Sequence, residues 1–146
     1  MAASRRRGSL RPWLERAVRQ VLAWERARAR VELTLLDADA MRRFNRRATG
    51  RRRLTDVLAF ALPQPDGSLL GDVYICPAAA ERWVKNGGGE KAKQGRVHEE
   101  LVRLAVHGTL HVLGYDHPDG PSRTRSAMWG RQERYVHRLL AGGADR

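Results

Sequence analysis

Apolar residues at Leu14, Ala17, Val18, Val21 and Leu22, following Pro12, fall at helical spacing. They predict an amphipathic helix over residues 12–28, with Arg16, Arg19 and Arg26 on its other face. Val31 to Leu36 reads as a strand. Asp39 is placed to cap a short helix through Met41 and Phe44, after which Arg46, Arg47 and Arg51 to Arg53 crowd what reads as a basic loop around Gly50. The mostly apolar run 56–62 ends at Pro63-Gln64-Pro65-Asp66-Gly67, a strong turn signal, and 69–76 is a second apolar run, so the two predict a β-hairpin. Pro77 opens an Ala-rich helix to about Lys85, and a flexible polar stretch begins at Gly87-Gly88-Gly89. Val97, Leu101, Leu104, Ala105 and Val112 mark a helix over 97–113 with one buried face, which Gly114 ends in a left-handed turn. A last helix follows Ser122; Met128, Gln132, Tyr135, Val136 and Leu139 share one face of it and read as core packing. The order α, β, α, β, β, α, α, α implies a small sheet covered by helices.

Composition adds a partner class. At 146 residues, 42% hydrophobic and 30% charged, the chain suits one domain with a core of its own, which excludes wholesale disorder. Its net charge of +12 is uneven: residues 1–53 hold 16 arginines against five acids, a local excess of +11. Such a field calls for a polyanion, either nucleic acid or an anionic membrane surface. The single cysteine, Cys76, rules out an intrachain disulfide, fits a reducing compartment and reads as a small core residue. No apolar run approaches the roughly 20 residues of a membrane span. Nor is the N-terminus a secretory signal, because Glu15, Arg16 and Arg19 interrupt the first apolar stretch. A cytoplasmic protein is expected.

The chemistry is concentrated in His107-Gly108-Thr109-Leu110-His111-Val112-Leu113-Gly114-Tyr115-Asp116-His117. Histidines four apart project from the same side of a helix, so His107 and His111 can share one ion. A reversal at Gly114 then lets His117 supply a third ligand. Three protein ligands leave a fourth position for water or substrate, the catalytic rather than structural pattern for zinc, although such a set also accepts other divalent transition metals. The spacing resembles the zinc-binding helix and turn of metzincin proteases, but the glutamate base that follows their first histidine is replaced by Gly108. Asp116 has two readings, orienting a ligand imidazole or satisfying the turn backbone. His98 reads as the solvated start of a helix and His137 as a boundary residue. Asp72 either lines the cleft or serves a turn. Core roles are expected for Trp83 and Trp129, while Trp13 and Trp24, near arginines, keep base stacking open.

The His string, preceded by Thr55-Asp56-Val57-Leu58-Ala59-Phe60 and Leu70-Gly71-Asp72-Val73-Tyr74-Ile75-Cys76, resembles the YbeY family of ribosomal-RNA maturation factors from about Asp37 to Leu140. The resemblance implies a zinc-like ion on His107, His111 and His117, one per chain. It further implies single-strand-specific endoribonuclease activity in 16S rRNA 3′-end maturation and late ribosome quality control. The partners expected are single-stranded RNA, rRNA and ribosomal subunits, with no membrane. Pattern and resemblance together lead to an α+β fold, a small mixed β-sheet of about four strands covered by helices. It carries a zincin-like metal-binding helix and turn, in one domain over residues 1–146 with a basic tail over about 1–11.

One family position does not carry over. The family reads N-R-R-x-R-G-x-D-x-x-T-D-V-L-S-F, and ungapped alignment puts its functional arginine on Thr49 and its aspartate on Arg52. Arg47 and Arg51, two residues to either side, are the substitutes expected to reach the phosphate and act catalytically. The nucleophile stays open between a water at the metal and the substrate's own 2′-hydroxyl. Two other functions compete: an RNA- or ribosome-binding assembly factor with a structural metal, and a zincin-like peptidase.

Overall fold

Three strands and five α-helices are formed among residues 2–87 and 93–143, which the computed structural model describes. The elements are α1 (Ala2–Trp24), β1 (Ala29–Leu35), α2 (Ala38–Thr49), β2 (Val57–Pro63), β3 (Leu69–Ile75), α3 (Pro77–Gly87), α4 (Lys93–Val112) and α5 (Ala127–Gly143). A 3-10 helix, Gly120–Arg125, precedes α5. The α+β class holds, but the mixed sheet has three strands where about four were expected, in the order β1-β3-β2. β3 pairs parallel with β1 and antiparallel with β2. The β2–β3 hairpin closes as its turn residues require: Gln64 N–H donates to Ser68 O at 2.8 Å, and Gly67 takes a left-handed φ of 88°.

Alternation sorts each strand into two faces. Leu33, Val73 and Ile75 point to the buried side, where α1 contributes Leu14, Ala17, Val18 and Val21 and α4 contributes Leu101, Ala105, Val106 and Leu110. Two glycines set how closely α4 lies on β3. A Cβ at Gly71 would stand 2.4 Å from Val112 Cγ1, and one at Gly108 would stand 2.6 Å from Val73 Cγ1. Each glycine thus receives a valine of the opposing element, bringing the helix that carries two of the histidines directly onto the central strand. Asp72, between the inward residues Gly71 and Val73, is exposed on the other face and does not line a cleft beneath α4. On that outer face Phe44 of α2 packs against Phe60 and Tyr74, with ring centroids 5.9 and 4.3 Å apart.

Several boundaries move. α1 begins at Ala2, taking in the expected tail, and ends at Trp24 rather than residue 28. Pro12 lies inside α1, where its fixed φ is helical but it removes one backbone donor and crowds the carbonyl of the preceding turn. Arg26, at φ 52°, closes the helix as Ala27 N–H reaches back to Leu22 O at 3.0 Å. The cap of α2 is Asp37, whose side chain accepts from Ala40 N–H at 2.8 Å, so Asp39 lies in the first turn instead. α2 continues through Arg46 and Arg47 to Thr49, making half of the expected basic loop helical. α5 starts after Ser126, whose hydroxyl accepts from Trp129 N–H. Trp83 is 65% exposed and not in the core, while Cys76 is buried. The expected Gly-rich stretch falls largely on residues 88–92, outside the described residues.

Candidate metal centre

From Leu101 to Val112, α4 is buried on every side but one, not merely along one face. The half-exposed stripe consists of Glu99, Glu100, Arg103, His107 and His111, recurring at spacings of three and four. After His111 the helix ends as its sequence suggests: Gly114 adopts φ 100°, and Tyr115 N–H donates to Leu110 O at 3.1 Å. The reversal carries His117 back beside the helix. Ring centroids lie 4.5 Å apart for His107 and His111, and 5.0 Å from each of these to His117. One potential ligand atom from each of the three falls within 4.8 Å of the others.

Each ring also has one nitrogen engaged by an oxygen that can only accept. His107 Nδ1 lies 2.6 Å from Gln132 Oε1, His111 Nδ1 lies 3.0 Å from Tyr115 O, and His117 Nδ1 lies 3.0 Å from Pro118 O. An acceptor at Nδ1 requires the proton there, so that in the neutral ring the lone pair is on Nε2. Burial pushes the pKa of His107 down to about 4, against the pull of Gln132 and with added repulsion from His111, His117 and Arg123. Burial also lowers His111. Both are therefore neutral at physiological pH and need shed no proton to bind a metal. Three half-buried imidazoles, each with its Nδ1 at an acceptor, fit a divalent transition metal on the chemistry of the donor set.

Two polar networks brace the rings. Behind His107, Gln132 is 1% exposed and its Nε2 donates to Glu133 Oε2 at 3.0 Å. Glu133 takes a bidentate pair from Arg103 at 2.8 Å, and Arg103 also pairs with Glu100 at 2.9 Å. Behind His111, the Tyr115 hydroxyl donates to Glu25 at 2.7 Å, and Glu25 also accepts from Arg131 and the Tyr135 hydroxyl. Burial pushes the Glu25 carboxyl upward, but these three donors hold it below its ordinary range. Tyr115 is thus anchored at both ends, by its hydroxyl and by its backbone contact to His111.

The other expected residues separate clearly. Asp116 accepts the backbone N–H of His117 at 2.8 Å, the turn role of its two readings, while carbonyl oxygens take the imidazoles. Arg47 and Arg51 are exposed, at the end of α2 and just after it, and neither makes a side-chain hydrogen bond or ion pair among the described residues. His98 packs edge-on against Trp13, away from the cluster, and His137 is exposed. The cation whose charge reaches His107 is Arg123, in the 3-10 helix. It also acts on Asp56, a carboxyl raised by burial whose own charge helps raise that of Glu100 on the stripe. Sequence reasoning passed over Arg123, Asp56 and Gln132. Gln132 left a trace as a polar residue inside the apolar stripe of α5, and Asp56 only as part of the Thr55 to Phe60 string.

Comparison with known proteins is consistent across sequence and structure. The profile of a family described as Endoribonuclease YbeY matches residues 3–140. A relative from Desulfitobacterium hafniense named Endoribonuclease YbeY is 41% identical over 124 residues, covering 76% of this chain and 74% of its own. One of the same name from Neisseria meningitidis is 39% identical over 101 residues, covering 64% of this chain and 56% of its own. The solution structure of TM1509 from Thermotoga maritima superposes with a TM-score of 0.63 at 26% identity, over 94% of this chain and 86% of that one.

Proposed function

Because the chain belongs to the endoribonuclease YbeY family, we propose that it is a metal-dependent endoribonuclease of rRNA processing whose active centre is the cluster of His107, His111 and His117. The observation that carries this reading is the convergence of three imidazoles whose Nδ1 atoms all face acceptors, leaving three Nε2 atoms for one ion. The ion proposed is zinc, since three nitrogen ligands with a position to spare are its catalytic arrangement. When bound, it supplies a Lewis acid that withdraws charge from a phosphoryl oxygen of the substrate.

The protein's own groups do the rest. Gln132, Tyr115 and Pro118 hold the three rings in register, so little reorganisation is needed when the scissile phosphate enters. The positive charge of Arg123 is felt at His107, where negative charge accumulates during cleavage. Arg47 and Arg51, exposed and unpaired among the described residues, are assigned to the RNA backbone as part of the +11 field of residues 1–53. If so, replacing both by alanine lowers the salt dependence of single-stranded RNA binding by about two contacts' worth, close to 1.4 in the log–log slope at most. An unchanged slope in a filter-binding or anisotropy titration removes them from the interface.

The peptidase alternative fails on geometry. Position 108, where a metzincin places its glutamate base, lies against Val73 with no room for a Cβ. The substrate is single-stranded RNA, with the 3′ end of 16S rRNA and ribosomal subunits as targets in late ribosome maturation and quality control. Bacterial cytoplasm is the matching location; no helix among the described residues is long and apolar enough to cross a membrane. The test is incubation of zinc-loaded protein with matched single-stranded and duplex RNA. Selective cutting of the single strand, abolished by a chelator, is expected. Indifference to the chelator or preference for the duplex contradicts the reading.

A further inference from the structure

Gln132 sits in the apolar stripe of α5 between Met128 and Val136, both 2% exposed, and is itself 1% exposed. An amide buried there is costly unless both ends are bonded, and a leucine or methionine would fill the same space without that penalty. Both ends are bonded, each to a different kind of partner. Its Nε2 donates to Glu133 Oε2 at 3.0 Å, and its Oε1 lies 2.6 Å from His107 Nδ1.

The first bond decides the second. An ionised carboxylate only accepts, so the NH2 end of the amide must face Glu133 and the oxygen must face His107. Glu133 is itself immobilised by the two 2.8 Å bonds from Arg103, which a 2.9 Å bond to Glu100 ties to the preceding turn of α4. The chain Glu100–Arg103–Glu133–Gln132–His107 therefore starts and ends on α4 and crosses α5, fixing one amide orientation between the two helices.

From this geometry we infer that Gln132 is a positioning residue for metal capture: its amide oxygen, locked by Glu133 and Arg103, confines the His107 proton to Nδ1 and turns Nε2 toward the ion. The inference rests on the metal-centre reading above. It assigns the polar network behind His107 a role in binding, since simple helix–helix adhesion does not require the oxygen to point at that particular nitrogen. Among the three rings, His107 alone depends on a side chain; the acceptors for His111 and His117 are backbone carbonyls of their own loop. Its tautomer is accordingly the one that a single substitution can change.

The experiment compares wild type with Gln132→Met, which keeps the volume and helix propensity but removes the acceptor. Long-range 1H–15N correlation spectra of the metal-free, histidine-labelled protein report the tautomer directly, and competition against a chromophoric chelator reports zinc affinity. His107 is expected in the Nδ1–H form in wild type and to lose that preference in the variant, with zinc bound about ten- to a hundredfold more weakly. A His107 still in the Nδ1–H form with wild-type zinc affinity overturns the inference. Should Gln132→Met fail to fold, Glu133→Gln, at a half-exposed position, is scored by the same two readouts: it frees the amide to rotate and is expected to weaken zinc by several-fold, and no change in either readout overturns the inference equally. Wild-type protein that takes up no zinc refutes the metal reading instead, while the tautomer comparison still decides the role of Gln132.

Discussion

His111→Ala is expected to lose stoichiometric zinc and to cut single-stranded RNA at least about a hundredfold more slowly than wild type, while the metal-free fold persists with stability changed by no more than about 1 kcal/mol. The ring is half-exposed on the open stripe of α4, and its only hydrogen-bond partner among the described residues is the Tyr115 carbonyl, at a turn that water can reach. Tyr115 stays anchored through its hydroxyl to Glu25, so the reversal at Gly114 survives the loss of the imidazole. His107 would be the poorer choice for this test. Truncating it strands the buried Gln132 oxygen, a penalty of roughly 1–3 kcal/mol that mixes folding with chemistry. Zinc content by mass spectrometry of the native protein and cleavage of a labelled oligonucleotide are the measurements. Robust cleavage by a folded, zinc-free His111→Ala protein would sink the catalytic-metal proposal.

The second large effect concerns folding and falls on the residue where a peptidase would hold its base. Gly108→Ala is expected to destabilise by about 1–3 kcal/mol, a fall in Tm of roughly 3–10 °C, because the new Cβ arrives 2.6 Å from Val73 Cγ1 at the tightest part of the α4–β3 contact. The gain in helix propensity from Gly to Ala, about 1 kcal/mol, offsets only part of this. Gly108→Glu is expected not to fold, since it forces an unpaired carboxylate against the buried strand. The cause is separable from any effect of the metal. Val73→Ala removes the atoms the new Cβ meets, so the double variant should recover at least about 1 kcal/mol relative to the sum of the singles in denaturant melts. Strict additivity, or a Gly108→Ala protein as stable as wild type, would mean that helix and strand are not locked as described.

That glycine shows where the sequence was legible and where it was not. The His string could be read because its ligands are local: spacings of four and six residues, with one glycine between, determine the site whatever surrounds it. The hairpin was equally local, written in Pro63 to Gly67. Gly108 was visible only as a missing glutamate; its positive role, admitting Val73, depends on a contact between positions 35 residues apart in the chain. Gln132 was hidden in the same way. Its period placed it in the core, correctly, but its partner His107 lies 25 residues away and nothing in α5 names it. Asp37 displaced Asp39 as the cap of α2 because two acids stand near one helix start and only the backbone path decides between them. A core role for Trp83 follows only from discounting base stacking in its segment, whereas α3 turns that position to solvent. The basic excess of residues 1–53 was plain in composition, yet the cation whose charge reaches His107 is Arg123, delivered by the chain after the third ligand.

The central claim is that three imidazoles, each with its Nδ1 turned to an oxygen, present three Nε2 atoms to one ion and leave room for an oxygen of water or substrate. X-ray absorption at the zinc edge of the loaded protein reads this coordination most directly. The expected spectrum has three imidazole nitrogens at about 2.0–2.1 Å, completed by light oxygen scatterers and no sulfur. A first shell with fewer than three imidazoles, or one containing sulfur, would contradict it.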